Sequence, residues 1–172
     1  MWQKIILANA AIYLNQKNHK YRFTMYKILD KEKIEEVMTN NFIGRIACCD
    51  NNMPYIVPIT YCYDKETNSI IGYSGEGAKI NILRKNPNVC FEVDEVKSIA
   101  DWKSVIAQGT YKELAPVDIR NAVHLFVTRL RELISEDHHM FIKDLSSAVG
   151  GDKSIVVYRI HLSGKTGRYQ GE

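Results

Sequence analysis

Three apolar runs follow one another between Phe42 and Ser74, and the breaks between them are too short for anything but hairpins. The runs cover residues 42–49 (FIGRIACC), 55–63 (YIVPITYCY) and 69–74, broken by DNNMP and by residues 64–68. A parallel pair needs a crossover of a dozen or more residues, so these strands are predicted to be antiparallel neighbours in a meander. Pro58 stands in the middle of the second run. Proline cannot donate to a ladder, so that point belongs on a sheet edge, at a bulge or against a ligand.

The rest of the chain adds strands and few helices. A helix is predicted from Asp30 to Asn40-Asn41. Asp30 can cap it, acidic residues crowd its first two turns, and Ile34, Val37 and Met38 make an apolar stripe. Later strands are predicted over residues 89–93, 104–114 and 154–162, with a polar loop carrying Trp102 between the first two. Pro116 opens the major helix, at a position that tolerates proline. Ile119, Val123, Phe126, Val127, Leu130, Leu133 and Ile134 give that helix one apolar face. A loop through Gly150-Gly151 leads to the last strand. Six strands without regular βαβ alternation predict a mainly β fold, a closed or nearly closed antiparallel barrel. Side chains fill the interior of so small a barrel. A large ligand then lies outside it, in a cleft or at a subunit interface.

The length of 172 residues suits one domain with its own core. Residues 1–24 read as an N-terminal extension and 25–172 as the domain. The apolar run at 5–14 is too short to span a membrane. A net charge of +3 with no Lys/Arg run leaves no nucleic-acid footprint. Cys48, Cys49, Cys62 and Cys90 lie inside apolar runs with no CxxC pair, so buried reduced thiols in a cytoplasmic protein are expected. His138-His139 point apart on any regular element and have no third ligand near in sequence, so no metal site is expected. His161 is expected half-buried on the last strand, the one histidine to consider beside a substrate.

One turn carries chemistry. In residues 71–87 (IGYSGEGAKINILRKNP) a strand ends at Ser74 in a Ser-Gly-x-Gly turn. A short helix, predicted over 77–85, then has Lys79 in its first turn and stops at Asn86-Pro87. A helix start offers unpaired N–H groups and partial positive charge, and with Ser74 and Lys79 added it suits a phosphate. The plain alternative is a capped surface helix, with Glu76 turned to solvent or paired with a base. Arg45, alone among apolar neighbours, either snorkels from the barrel end or contacts a ligand.

Four pieces of sequence then carry a likeness: GRIACCDNNMPYIVPITYCYD, YSGEGAKINILRKNPNVCFEVDE, WKSVIAQGTYKEL and VVYRIHLSGKTGR. In this order and spacing the chain resembles the FMN-binding split-barrel family of pyridoxamine 5′-phosphate oxidase-like proteins, nearest the nitroimidazole-resistance branch. The resemblance implies a six-stranded antiparallel split β-barrel, with FMN at the interface of a homodimer. It implies that Ile56, Val57, Pro58, Ile59, Thr60 and Tyr61 edge the isoalloxazine, and that Tyr73 and Ser74 lie beside the ribityl-phosphate chain. Lys79 would hold the phosphate, Ser104 would approach FMN and Trp102 would cover the ring.

The activity so implied is FMN-dependent oxidoreduction, passing electrons from NAD(P)H or another donor to a small oxidised substrate. No side chain is then expected as nucleophile or general acid. A flavin carrier or redox sensor without turnover, and a haem-binding barrel with His161 as ligand, are the rival expectations. Two positions depart from the family pattern. Tyr73 stands where many members of the nearer branch have His. Ala78 stands where many relatives have a base, which leaves Arg45 or Arg84 to compensate. The ending GKTGRYQGE lacks the basic substrate-binding segment of the pyridoxamine oxidase proper, so that activity is not expected.

Overall fold

A computed structural model describes residues 26–135 and 154–171. The expected extension 1–24, His138-His139 and Gly150-Gly151 lie outside the described residues. The short β1 (Lys27–Ile28) precedes α1 (Lys31–Asn40), which starts at Asp30, whose carboxylate accepts from the Lys33 N–H at 2.8 Å. β2 (Ile43–Asp50) and β3 (Met53–Asp64) are joined by Asn51 and Asn52, at φ 49° and 65°. Positive φ at both turn residues matches the twist of the flanking strands, and asparagine tolerates it. Then come β4 (Ser69–Gly75), α2 (Ala78–Lys85), β5 (Asn88–Ser98), β6 (Asp101–Glu113), α3 (Pro116–Leu133) and β7 (Ile155–Gln170).

Seven strands make one antiparallel sheet in the order β1-β7-β4-β3-β2-β5-β6, and β6 pairs back onto β7 to close it. The strand beyond the expected six is β1, whose two residues are too few to show a periodicity. β5 runs to Ser98 rather than Val93, and Trp102 lies in β6 rather than in a loop. The charges that made this stretch look like a loop meet across the hairpin instead, with Lys103 3.2 Å from Glu95. β7 continues to Gln170 rather than ending at Leu162. Ser163 is an extra residue opposite the Gln108–Gly109 step, and past this bulge the strand goes on pairing with β6. His161 is exposed, not half-buried.

Strand alternation sends Ile46, Tyr61, Phe91, Val93, Val105, Tyr158 and Ile160 into the barrel, where Val37 and Met38 of α1 join them. α3 covers an outer patch of the sheet, where Phe126, Val127 and Leu130 pack on Cys62, Ile71 and Val157. One pairing is incomplete. β3 and β4 are hydrogen-bonded only from Asp64↔Ser69 to Tyr61↔Gly72. Beyond that point β3 continues with β2 down to Met53, while β4 continues with β7 up to Gly75. The barrel is split between them. α2 leaves the end of β4 and packs on β2, with Ile80 and Leu83 fully buried.

Elsewhere, buried polar groups are paired. Lys165 bonds Glu35, the Tyr63 hydroxyl (2.5 Å) and Asn68 (2.8 Å). Arg159 holds Asp64 at 2.6 Å, with Thr67 and Ser69 at 2.7 Å. Burial pushes the Glu35 carboxyl up, but the hydrogen bonds from Lys165 and Tyr63 and the lysine's charge outweigh it and hold the pKa below 4.5. Asp64 is likewise raised by burial and lowered further by Arg159 and Thr67, to below 3.8. Carboxylates depressed in the fold stabilise it fully above their unfolded values and lose that stabilisation as pH falls through the folded ones. The urea midpoint is therefore expected to hold down to about pH 4.5 and then drop with acid. Glu35→Gln is expected to flatten the drop, and an unchanged acid slope would refute the assignment.

Candidate functional site

The backbone of β3 is exposed along one side of the split. The Tyr61 N–H donates to the Phe42 carbonyl at 2.9 Å, toward β2. Alternation then sends the N–H groups of Ile59 and Val57 the same way. Those of Ile56 and Thr60, and the carbonyls of Ile56 and Pro58, face the side on which β3 has parted from β4. The β2–β3 register crosses Pro58 without a shift, from Ile43↔Thr60 to Asp50↔Met53. Pro58 is thus at an edge and not at a bulge, and its missing donor falls on the unpaired side.

The start of α2 lies at the other lip. Gly77 is the N-cap residue and supplies no side-chain cap, and the Ser74 hydroxyl donates instead to the neighbouring Gly75 carbonyl at 2.9 Å. The Asn81 N–H reaches the Gly77 carbonyl at 3.0 Å, which leaves the N–H groups of Ala78, Lys79 and Ile80 outside the helix's own bonding. Lys79 is half-buried and takes part in no hydrogen bond or ion pair among the described residues. Its ammonium lies 5.8 Å from the centroid of the Tyr158 ring. Burial pushes its pKa below 10.5, against a small opposing effect from Cys48. The Tyr158 hydroxyl is buried and has no hydrogen-bond partner, alone in this among buried side-chain polar atoms of the described residues. Such a group costs about 1–3 kcal/mol. Bare N–H groups, an unpaired ammonium and an orphaned hydroxyl form a donor set that fits a phosphate.

The arginines do not join this set. Arg84 clamps Glu76 at 2.7 and 2.8 Å and Glu113 at 2.6 and 3.2 Å, so the glutamate beside the turn is neutralised and the arginine is engaged. Arg45 bonds Asp94 and lies 3.4 Å from Glu92. Neither compensates for Ala78.

The other expected residues fall into separate places. Tyr61 is a core residue whose hydroxyl donates to the Met38 carbonyl at 2.9 Å. Val57 and Ile59 turn their side chains toward the same core. Tyr73 packs edge-on against Phe126 of α3, with ring centroids 5.4 Å apart, on the face opposite Ser74. Trp102 donates to Gln170 and Ser104 to Glu92, each at 3.2 Å. Both lie on β6, three strands from β3, or roughly 14 Å at ordinary strand spacing. Within one chain they do not meet the β3 edge.

Two features were not foreseen from sequence. Tyr158 is one, since its inward direction depends on strand register. The other is a hollow of about 490 Å³ at the Thr60 end of the β3 edge, lined among the described residues by Phe42, Ile43, Leu130, Leu133 and Ile134 and by no charged side chain of theirs. The stripe on α3 was legible, but not that its last residues border this hollow. Among the described residues there is no His/Cys/Asp/Glu cluster able to hold a metal, and no helix is long and apolar enough to cross a membrane.

Residues 30–168 match the family described as Pyridoxamine 5′-phosphate oxidase. An uncharacterised protein of Rhizobium meliloti (strain 1021) is 38% identical over 88 residues, and the match covers 51% of this chain and 57% of that relative's length. A FAD-binding protein from Mesorhizobium loti shares the fold with TM-score 0.66 and 27% identity, over 86% of this chain and 98% of its own. A candidate 5-nitroimidazole antibiotic resistance protein from Bacteroides thetaiotaomicron gives TM-score 0.64 at 20% identity, over 84% and 87% of the two chains.

Proposed function

The chain belongs to the pyridoxamine 5′-phosphate oxidase family, and on that premise we propose that it binds FMN in the split and serves as a cytoplasmic FMN-dependent oxidoreductase. The observation that carries the reading is the unpaired β3 edge facing a helix start that holds Lys79 and lacks a cap. The FAD-binding protein from Mesorhizobium loti supports a flavin. A single unpaired lysine suits the one phosphate of FMN better than the two of FAD.

In this reading Lys79, Ser74 and the N–H groups of Ala78–Ile80 hold the phosphate. The backbone of Ile56, Pro58 and Thr60 lies along the polar rim of the ring, while Val57, Ile59 and Tyr61 anchor that edge to the core. Tyr73 fixes the end of β4 against α3 and does not replace the histidine of the nearer branch. FMN supplies hydride and single-electron transfer when bound, and the protein's part is to orient it and leave one face open. The hollow beside Thr60 is lined by apolar side chains among the described residues, which favours a small uncharged acceptor. NAD(P)H is the donor proposed.

The outer face of β2, β3, β5 and β6 supports a homodimer. Ile43, Ile56 and Ile106 there are 44%, 64% and 46% exposed, around the Arg45–Glu92–Asp94 cluster. A two-fold contact uses the same patch on both copies. Docking through this face brings Trp102 and Ser104 of each copy toward the β3 edge of the other. Ile106→Glu is expected to turn a dimer into a monomer by light scattering and to lose FMN with it; an intact dimer would exclude this face.

Titration with FMN, followed by flavin fluorescence, tests the cofactor reading. Lys79→Met is expected to weaken binding about tenfold or more, as loss of a charge-assisted contact does. Unchanged affinity would remove Lys79 from the phosphate site. Anaerobic NAD(P)H is expected to bleach the bound flavin. A flavin that binds but does not bleach would favour the carrier or sensor.

A further inference from the structure

Tyr158 sits in β7 opposite Gly72 of β4. A Cβ on Gly72 would lie 2.6 Å from the tyrosine Cζ and 2.7 Å from its hydroxyl oxygen. The ring therefore lies over the bare glycine and directs its hydroxyl across β4 toward β3. Gly72 is also the last β4 residue paired with β3, through Tyr61. The hydroxyl thus ends at the fork of the split, fully buried and without a partner. The unpaired Lys79 ammonium stands over the same ring. Phenylalanine would fill the space equally well and leave no orphaned donor. A hydroxyl kept here, beside an unpaired cation and a bare helix start, points to a ligand that accepts from it.

We infer that Tyr158 is a ligand-contacting residue, whose hydroxyl donates a hydrogen bond to the phosphate of the bound flavin while Lys79 balances the charge. The inference rests on the FMN reading and adds to it a buried floor to the phosphate site, reached only because position 72 has no side chain. It also sets stability against affinity. The hydroxyl burdens the ligand-free protein and is satisfied once the phosphate arrives.

Tyr158→Phe removes that one atom. FMN and riboflavin are titrated into wild type and variant, and thermal midpoints are measured without ligand. Wild type is expected to bind FMN, and the variant about tenfold more weakly. Riboflavin affinity is expected to differ less than twofold between them, and the ligand-free variant to melt at or above the wild-type midpoint. Equal FMN affinity in the two proteins would overturn the Tyr158 contact and leave the FMN reading standing. Parallel losses for FMN and riboflavin would overturn the phosphate assignment. A lower midpoint in the ligand-free variant would show a structural partner for the hydroxyl and overturn the inference. A wild type that binds no FMN would overturn both readings together.

Discussion

The parting of β3 from β4 after Tyr61 and Gly72 is the constraint on which the rest of the site depends. A strand edge with free N–H and C=O groups is a hazard, open to pairing with any other chain. Here it is left open beside its own barrel. One lip is the backbone of Ile56–Thr60. The other carries the end of β4 and the start of α2, and Tyr158 reaches the fork from below. None of these needs an unusual side chain. The site comes from where one ladder stops.

The distribution of satisfied and unsatisfied polar groups marks the same place. Glu35 with Lys165, Asp64 with Arg159, Arg84 with Glu76 and Glu113, and Arg45 with Asp94 are all closed pairs. Lys79 and the Tyr158 hydroxyl are not, and they lie together. We read these two donors, left open beside a bare helix start, as the place of an acceptor that arrives later. The family and the FAD-binding relative make a flavin phosphate the acceptor we propose.

Much of this was legible in the sequence because it is local. DNN fixed the first hairpin, alternation gave the strands, and the Ser74–Lys79 turn carried the phosphate reading. What was hidden depends on pairing between distant strands. β3 and β4 each read as unbroken, so the point where they separate had no local mark, although Pro58 hinted at the open edge. Tyr158 becomes a candidate only once β7 is set opposite Gly72. Arg45 looked free until β2 was laid against β5, and Trp102 looked like a loop residue until its hairpin partner, Val96, was known.

Amide hydrogen exchange on β3, with and without saturating FMN, tests the central claim most directly. The Val57 and Ile59 amides, bonded to β2, are expected to be protected already in the ligand-free protein. The Ile56 and Thr60 amides should exchange quickly and slow when FMN binds. FMN that binds at saturation and leaves the Ile56 and Thr60 amides as fast as before would contradict it.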